Sequence, residues 1–150
     1  MFNSLSLLVC IITIISVASE CPCPDESLCR PIQTGSRHEK VAFMVSNNNL
    51  RQYDYNQLTT IVICTQDFDP QLVCLAHSRQ VRLVWLANYD VKQLGNITVR
   101  NEWIRLQINK VKNSFTDGII FDMEDEIIDG SITAFQYTQL VQELTRLIHI

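Results

Sequence analysis

The sequence predicts an α/β fold of parallel strands that amounts to the N-terminal half of a (β/α)8 TIM barrel. Three observations predict it. Short apolar, β-branched runs alternate with longer segments of helical periodicity, the order expected of parallel strands joined by right-handed crossovers. The runs are apolar on both faces, as strands covered on both sides are. About four strand–helix units fit into 150 residues, whereas a complete barrel of this kind needs about 250. The chain is therefore expected to be a truncated part of something more than twice as long. A half barrel has two unpaired sheet edges and an open apolar face.

In chain order, residues 1–19 read as a secretory signal peptide. Residues 5–17 form an apolar core and Val17-Ala18-Ser19 supply small residues for cleavage. The competing reading is a membrane anchor, but the run falls short of the roughly 20 residues a span needs. No membrane partner is expected once the signal is removed, and a secretory location is. Removing the signal takes away Cys10 and leaves five of the six cysteines. Cys21, Cys23 and Cys29 lie in a Cys-rich N-terminal segment, residues 20–40. Zinc is conceivable there, but a secreted chain favours disulfides. The odd count leaves at least one thiol unpaired. Cys64 reads as a small buried hydrophobe.

Residues 41–46 are a first strand, broken by Asn47-Asn48-Asn49, and residues 60–65 a second, rich in β-branched side chains. Asp67-Phe68-Asp69-Pro70 starts a helix, with Pro70 near its first position and Leu72, Leu75 and Ala76 on its buried face. His77 on this helix suits packing or exposure better than catalysis. Residues 81–87 are a third strand, followed by a polar loop at Asn88-Tyr89-Asp90. Asn96-Ile97-Thr98 is a glycosylation sequon. A helix follows it to about Ser114, with Trp103, Leu106, Ile108 and Val111 among its apolar positions. Ser131 is a good N-cap for a last helix, whose apolar face is expected to hold Ala134, Phe135, Tyr137, Leu140, Val141, Leu144 and Leu147. Tyr53, Tyr55 and Trp85 have rings that could stack on a sugar, although packing is at least as good a reading for each. The net charge of −4, with no Lys/Arg cluster, argues against nucleic acid as a partner.

Residues 117–124 carry the chemistry. This apolar run ends in carboxylates where a buried strand should have none. With a period of two, Asp122 and Glu124 share a face with Gly118 and Ile120, while Ile119, Phe121 and Met123 face the helices. The acids gather at the C-terminal end, where such barrels hold their catalytic groups. Cα atoms two apart on a strand are roughly 6.5–7 Å apart, so the two carboxyls can lean together and share a proton. The one that keeps it can give it to a leaving-group oxygen. Glu124, nearer the strand end, is assigned as the acid and Asp122 as its partner. Two other readings stay open: a strand running into an acidic turn with Asp125, Glu126 and Asp129, and a divalent-metal hydrolase using Asp122, Glu124 and Asp125.

Asp117 and Gly118, followed by Asp122 and Glu124 with apolar residues between, resemble the DGxDxDxE signature of glycoside hydrolase family 18. Cys21-Pro22-Cys23-Pro24, residues 28–32, Tyr53-Asp54-Tyr55, residues 57–60 and residues 74–78 resemble the lysosomal, chitobiase-type branch of that family. The resemblance runs from Cys21 to about Val141, so residues 41–150 would be a partial barrel of this type. It implies a retaining glycosidase acting on β-1,4-linked N-acetylglucosamine in oligosaccharides, with no protein nucleophile and no cofactor or metal. Glu124 would be the proton donor. Asp122 would orient and stabilise the substrate's N-acetyl group, and Asp117 would be structural. The chain departs from the pattern at Ile120, where the family has Asp or Asn supporting the middle acid. That departure keeps a binding alternative in play, a non-catalytic chitinase-like protein that holds the sugar without cutting it. Without the later strands' groups, the 150-residue chain alone is expected to be inactive.

Overall fold

The computed structural model describes residues 19–33, 38–48 and 50–148. All but the last residue of the expected signal peptide lies outside the described residues. The described fold is one parallel sheet, β1 (Val41–Met44), β2 (Thr60–Ile63), β3 (Arg82–Ala87) and β4 (Gly118–Phe121), in the order β1-β2-β3-β4. Three helices accompany it: α1 (Gln71–His77) after β2, α2 (Ile97–Ser114) after β3 and α3 (Ile132–Ile148) after β4. Between β1 and β2 the described chain makes two short 3-10 turns, Leu50–Gln52 and Tyr55–Gln57, instead of a crossover helix. The expected alternation is thus present as four parallel strands and three helices, an arrangement compatible with part of a barrel.

The helix ends follow from local chemistry. The Asp69 carboxylate accepts the Gln71 N–H at 2.9 Å in the turn that leads into α1. The Asn96 side chain accepts the Val99 N–H at 3.2 Å and caps α2. The Ser131 hydroxyl accepts the Ala134 N–H at 3.1 Å at the start of α3. At the other end of α2 the chain turns away through Phe115, which is left-handed at φ 55°.

The register sorts the strand side chains onto two faces. Met44, Ile61, Ile63, Leu83 and Trp85 point to the helix side and are buried there around Leu72, Val73 and Ala76 of α1. Ile119, Phe121 and Met123 pack on the same side against Ile104 of α2 and Leu140 and Leu144 of α3. A file of rings runs through this second cluster. Tyr89 meets Trp103 at 5.2 Å, Trp103 meets Phe121 at 5.6 Å and Phe121 meets Tyr137 at 5.5 Å between centroids. The opposite face of the sheet is open at its edges. Phe43 is 60% exposed and Ile120 36%, although both are strand residues of an apolar run.

Three expectations about the elements need correction. The acidic strand ends at Phe121 instead of Glu124, because its partner β3 ends at Ala87, directly opposite. Phe135 is 59% exposed. It sits five residues before Leu140, about 140° around the helix from the buried stripe. Leu106 is 50% exposed for the same reason, being two residues from buried Ile104, while Arg100 takes the buried position instead.

Candidate active site

The C-terminal edge of the sheet is where the acidic residues emerge. Gly118 opens β4 with a φ of 157°, near-extended backbone. The Asp122 N–H donates to the Ala87 carbonyl at 2.9 Å, which adds one more rung just past the end of β4. That bond fixes the backbone of Asp122 in strand geometry, so its side chain follows Ile120 onto the open face while Phe121 and Met123 turn to the helices. Asp122 is half-buried and Glu124 is exposed, two residues further along the loop. Ile120 stands behind Asp122 and offers it no hydrogen bond.

Cys64 follows β2 at the same end of the sheet. It is a free thiol, half-buried, and burial pushes its pKa up, with the negative charge of Asp122 adding to the rise. Cys64 and Asp122 thus follow two strands at the same end of the sheet, with β3 between them, near enough for the charge of Asp122 to act on the thiol. The other cysteines form two disulfides, Cys21–Cys29 and Cys23–Cys74. Among the described residues, the only His, Cys, Asp or Glu side chains whose ligand atoms converge closely enough for a metal are Cys21, Cys23 and Cys29, all held in those disulfides.

The aromatic candidates divide. Trp85 is on the helix side of β3 and only 4% exposed. Its indole N–H donates to the Ser114 hydroxyl at 2.9 Å, and the Lys110 ammonium lies 3.6 Å from the ring centroid. Trp85 therefore has no free ring face for a sugar. Tyr55 is also in the core, its hydroxyl donating to the Leu50 carbonyl at 2.8 Å. Burial, and then the nearness of Tyr53, push the Tyr55 phenol up to about 12. Tyr53 is half-buried and lines a groove of about 580 Å³ with Arg51, Asp54, Asp69 and Arg79. That groove lies beside α1. A second groove, about 510 Å³, runs along the free edge of β4 between Val84 and Ile120 on one side and Val141, Leu144 and Ile148 on the other. Neither groove is lined by Asp122 or Glu124.

Asp117 sits one residue before β4 and is nearly buried. One carboxylate oxygen accepts the Ile32 N–H at 2.7 Å; the other accepts the Leu83 N–H at 2.6 Å and lies 3.0 Å from Nε2 of His77. It thereby holds the N-terminal segment, β3 and α1 together at the strand's beginning. Asn96 of the sequon is exposed at the start of α2.

No family model and no solved structure matches the chain. Curated relatives do. "Probable di-N-acetylchitobiase 2" of Dictyostelium discoideum is 43% identical over 121 residues, covering 81% of this chain and 31% of the relative. "Probable di-N-acetylchitobiase 1" of the same organism is 42% identical over 141 residues, covering 93% of this chain and 38% of the relative. "Di-N-acetylchitobiase" of Bos taurus is 34% identical over 131 residues, covering 87% of this chain and 74% of the relative. The chain spans about a third of the length of the two Dictyostelium relatives.

Proposed function

We propose the following function for this chain, which belongs to the di-N-acetylchitobiase family: it supplies the acid and the N-acetyl-orienting carboxylate of a glycosidase. The substrate class is an oligosaccharide with β-1,4-linked N-acetylglucosamine, as in chitobiose cores or chitin-like oligomers. The observation that carries the reading is the placement of Asp122 on the open sheet face at the end of β4, with Glu124 exposed beside it, in a chain 34% identical to the bovine di-N-acetylchitobiase over 87% of its length.

The mechanism is the substrate-assisted one of glycoside hydrolase family 18, in which the protein offers no nucleophile. Glu124 protonates the glycosidic oxygen. The substrate's own N-acetyl carbonyl oxygen attacks the anomeric carbon, forming an oxazolinium ion as the glycosidic bond breaks. Asp122 orients the N-acetyl group and stabilises the positive charge that develops on it. Water then opens the ring with overall retention, returning its proton to Glu124. Asp117 anchors the start of the strand. No metal or organic cofactor takes part.

In barrels of this kind the catalytic groups come from the ends of several different strands, and an apolar groove lies along the edge of β4 against α3. The 150-residue chain alone does not turn over substrate. Residues 1–19 direct the chain into the secretory pathway, to the lysosome or outside the cell, and Asn96 is exposed where it can be glycosylated. The second reading is a sugar-binding protein that does not cut: Ile120 removes a polar support from Asp122, but the retained Glu124 speaks against it.

Glu124→Gln, made in a protein that carries the relatives' remaining length, tests the assignment. Hydrolysis is expected to fall by about 10²–10⁴, the usual worth of a general acid, with oligosaccharide binding kept. Unchanged turnover would remove Glu124 from the acid role. An unmutated protein that binds the sugar and never cleaves it would establish the second reading.

A further inference from the structure

His77 and Asp117 take no direct part in the proposed reaction, yet they are the most deeply buried ionisable pair described, with side chains 2% and 3% exposed. Nδ1 of His77 lies 2.6 Å from the Leu28 carbonyl oxygen. A carbonyl oxygen only accepts, so this nitrogen carries a proton. Nε2 lies 3.0 Å from the Asp117 carboxyl. That carboxyl already accepts two backbone N–H groups, from Ile32 at 2.7 Å and Leu83 at 2.6 Å. Each of its oxygens is thus already an acceptor, and a carboxylate, which only accepts, requires Nε2 to donate as well. Both ring nitrogens then hold protons at once.

We propose that His77 is an imidazolium and Asp117 a carboxylate, forming a buried ionic clasp that fastens the disulfide-bearing N-terminal segment to the sheet and loosens when His77 gives up its proton. The clasp spans three parts of the chain. Leu28 and Ile32 belong to the N-terminal segment, whose Cys23 is already bonded to Cys74, one turn before His77 on α1. Leu83 belongs to β3, and Asp117 precedes β4. Of the groups from these elements that touch the ring, Asp117 is the charged one and the Leu28 carbonyl the dipolar one. Burial pulls the imidazole's pKa down, but the hydrogen bond and charge of Asp117, then the Leu28 carbonyl, outweigh it and raise it overall. A raised folded-state value means the clasp's stabilisation is complete below the ordinary His value of about 6.5 and is lost as pH climbs through the folded value. The N-terminal segment is therefore held best in acid.

The test is amide hydrogen exchange on the full chain, reading Ile32 and Leu83, whose N–H groups end on Asp117. Their protection, corrected for intrinsic exchange, is expected to fall by up to about tenfold per pH unit as pH rises above 6.5. His77→Gln should make that protection insensitive to pH. Flat protection in the unmutated protein would overturn the clasp. Nitrogen-15 spectra of His77 give an answer that needs no variant: two protonated ring nitrogens at pH 6 are expected, and one bare nitrogen would refute the proposal.

Discussion

Ile120 shows how much a single side chain can decide. It occupies the open face directly behind Asp122, and a half-exposed carboxylate with an apolar neighbour has one hydrogen-bond partner fewer to fix its rotamer. Ile120→Asn in a protein with the relatives' full length is expected to raise kcat several-fold by restoring that partner, with KM little changed. A fall in kcat would mean that the site has repacked around the isoleucine. Whether residues were legible at this scale depended on locality. The two-residue period put Asp122 on the face of Ile120 because alternation is a property of the backbone alone, whereas Glu124 lies past the end of β4, where that period no longer applies. No such local signal marks His77 as the partner of Asp117 forty residues away. Trp85 was left open between two roles for a related reason. An aromatic ring on a strand is equally good as a platform or as filling, and only its parity relative to the helices separates the two.

At the scale of elements, the caps are the most readable feature. Ser131 bonds to the backbone N–H three residues on, as its residue type and position imply, while Asn96, marked in the sequence only as part of a sequon, caps α2 in the same way. Ser131→Ala is expected to cost about 1 kcal/mol in urea unfolding, the usual worth of an N-cap, and no loss would show that the bond is idle. The α2–α3 contact was not readable. Arg100 is buried and donates through two nitrogens to the Glu143 carboxylate, at 3.1 and 3.2 Å, and through a third to the Leu94 carbonyl at 3.2 Å. Sequence periodicity ranks an arginine as surface, so the helix face that it completes looks shorter than it is. Glu143→Gln leaves that guanidinium buried without its counter-charge. It is expected to cost about 1–3 kcal/mol, below the range for fully buried pairs because Glu143 is itself 36% exposed.

For the whole molecule, the apolar residues left in solvent matter most. Phe43 and Ile120 stand exposed on a sheet whose other face is packed, and Val45 stands exposed just past the end of β1. Both edges of that sheet are unpaired among the described residues. Expressed alone, these 150 residues are expected to self-associate or to stay poorly soluble, as checked by light scattering. A monodisperse monomer that melts cooperatively would refute the half-barrel reading. The Cys23–Cys74 disulfide closes a long loop, with a separation of 51 residues, and joins the N-terminal segment to α1. Replacing both cysteines with serine should cost about 2–4 kcal/mol by freeing the unfolded chain, measured by the shift in melting temperature.

By itself the sequence determined the class of fold, the order of its elements and the strand end from which the carboxylates emerge. These follow from periodicity, propensity and caps, which act over a few residues. It also left five cysteines with no rule for pairing them, since connectivity depends on which segments meet in space. Only the tertiary structure decided the partners: Cys23 with Cys74, His77 with Asp117, Arg100 with Glu143. It also decided where β4 stops, because a strand extends only as far as its neighbour offers hydrogen bonds. Contacts between residues forty or more apart are fixed by how the layers close on one another, and the free energy that selects them is gained only once the whole sheet and its helices are in place.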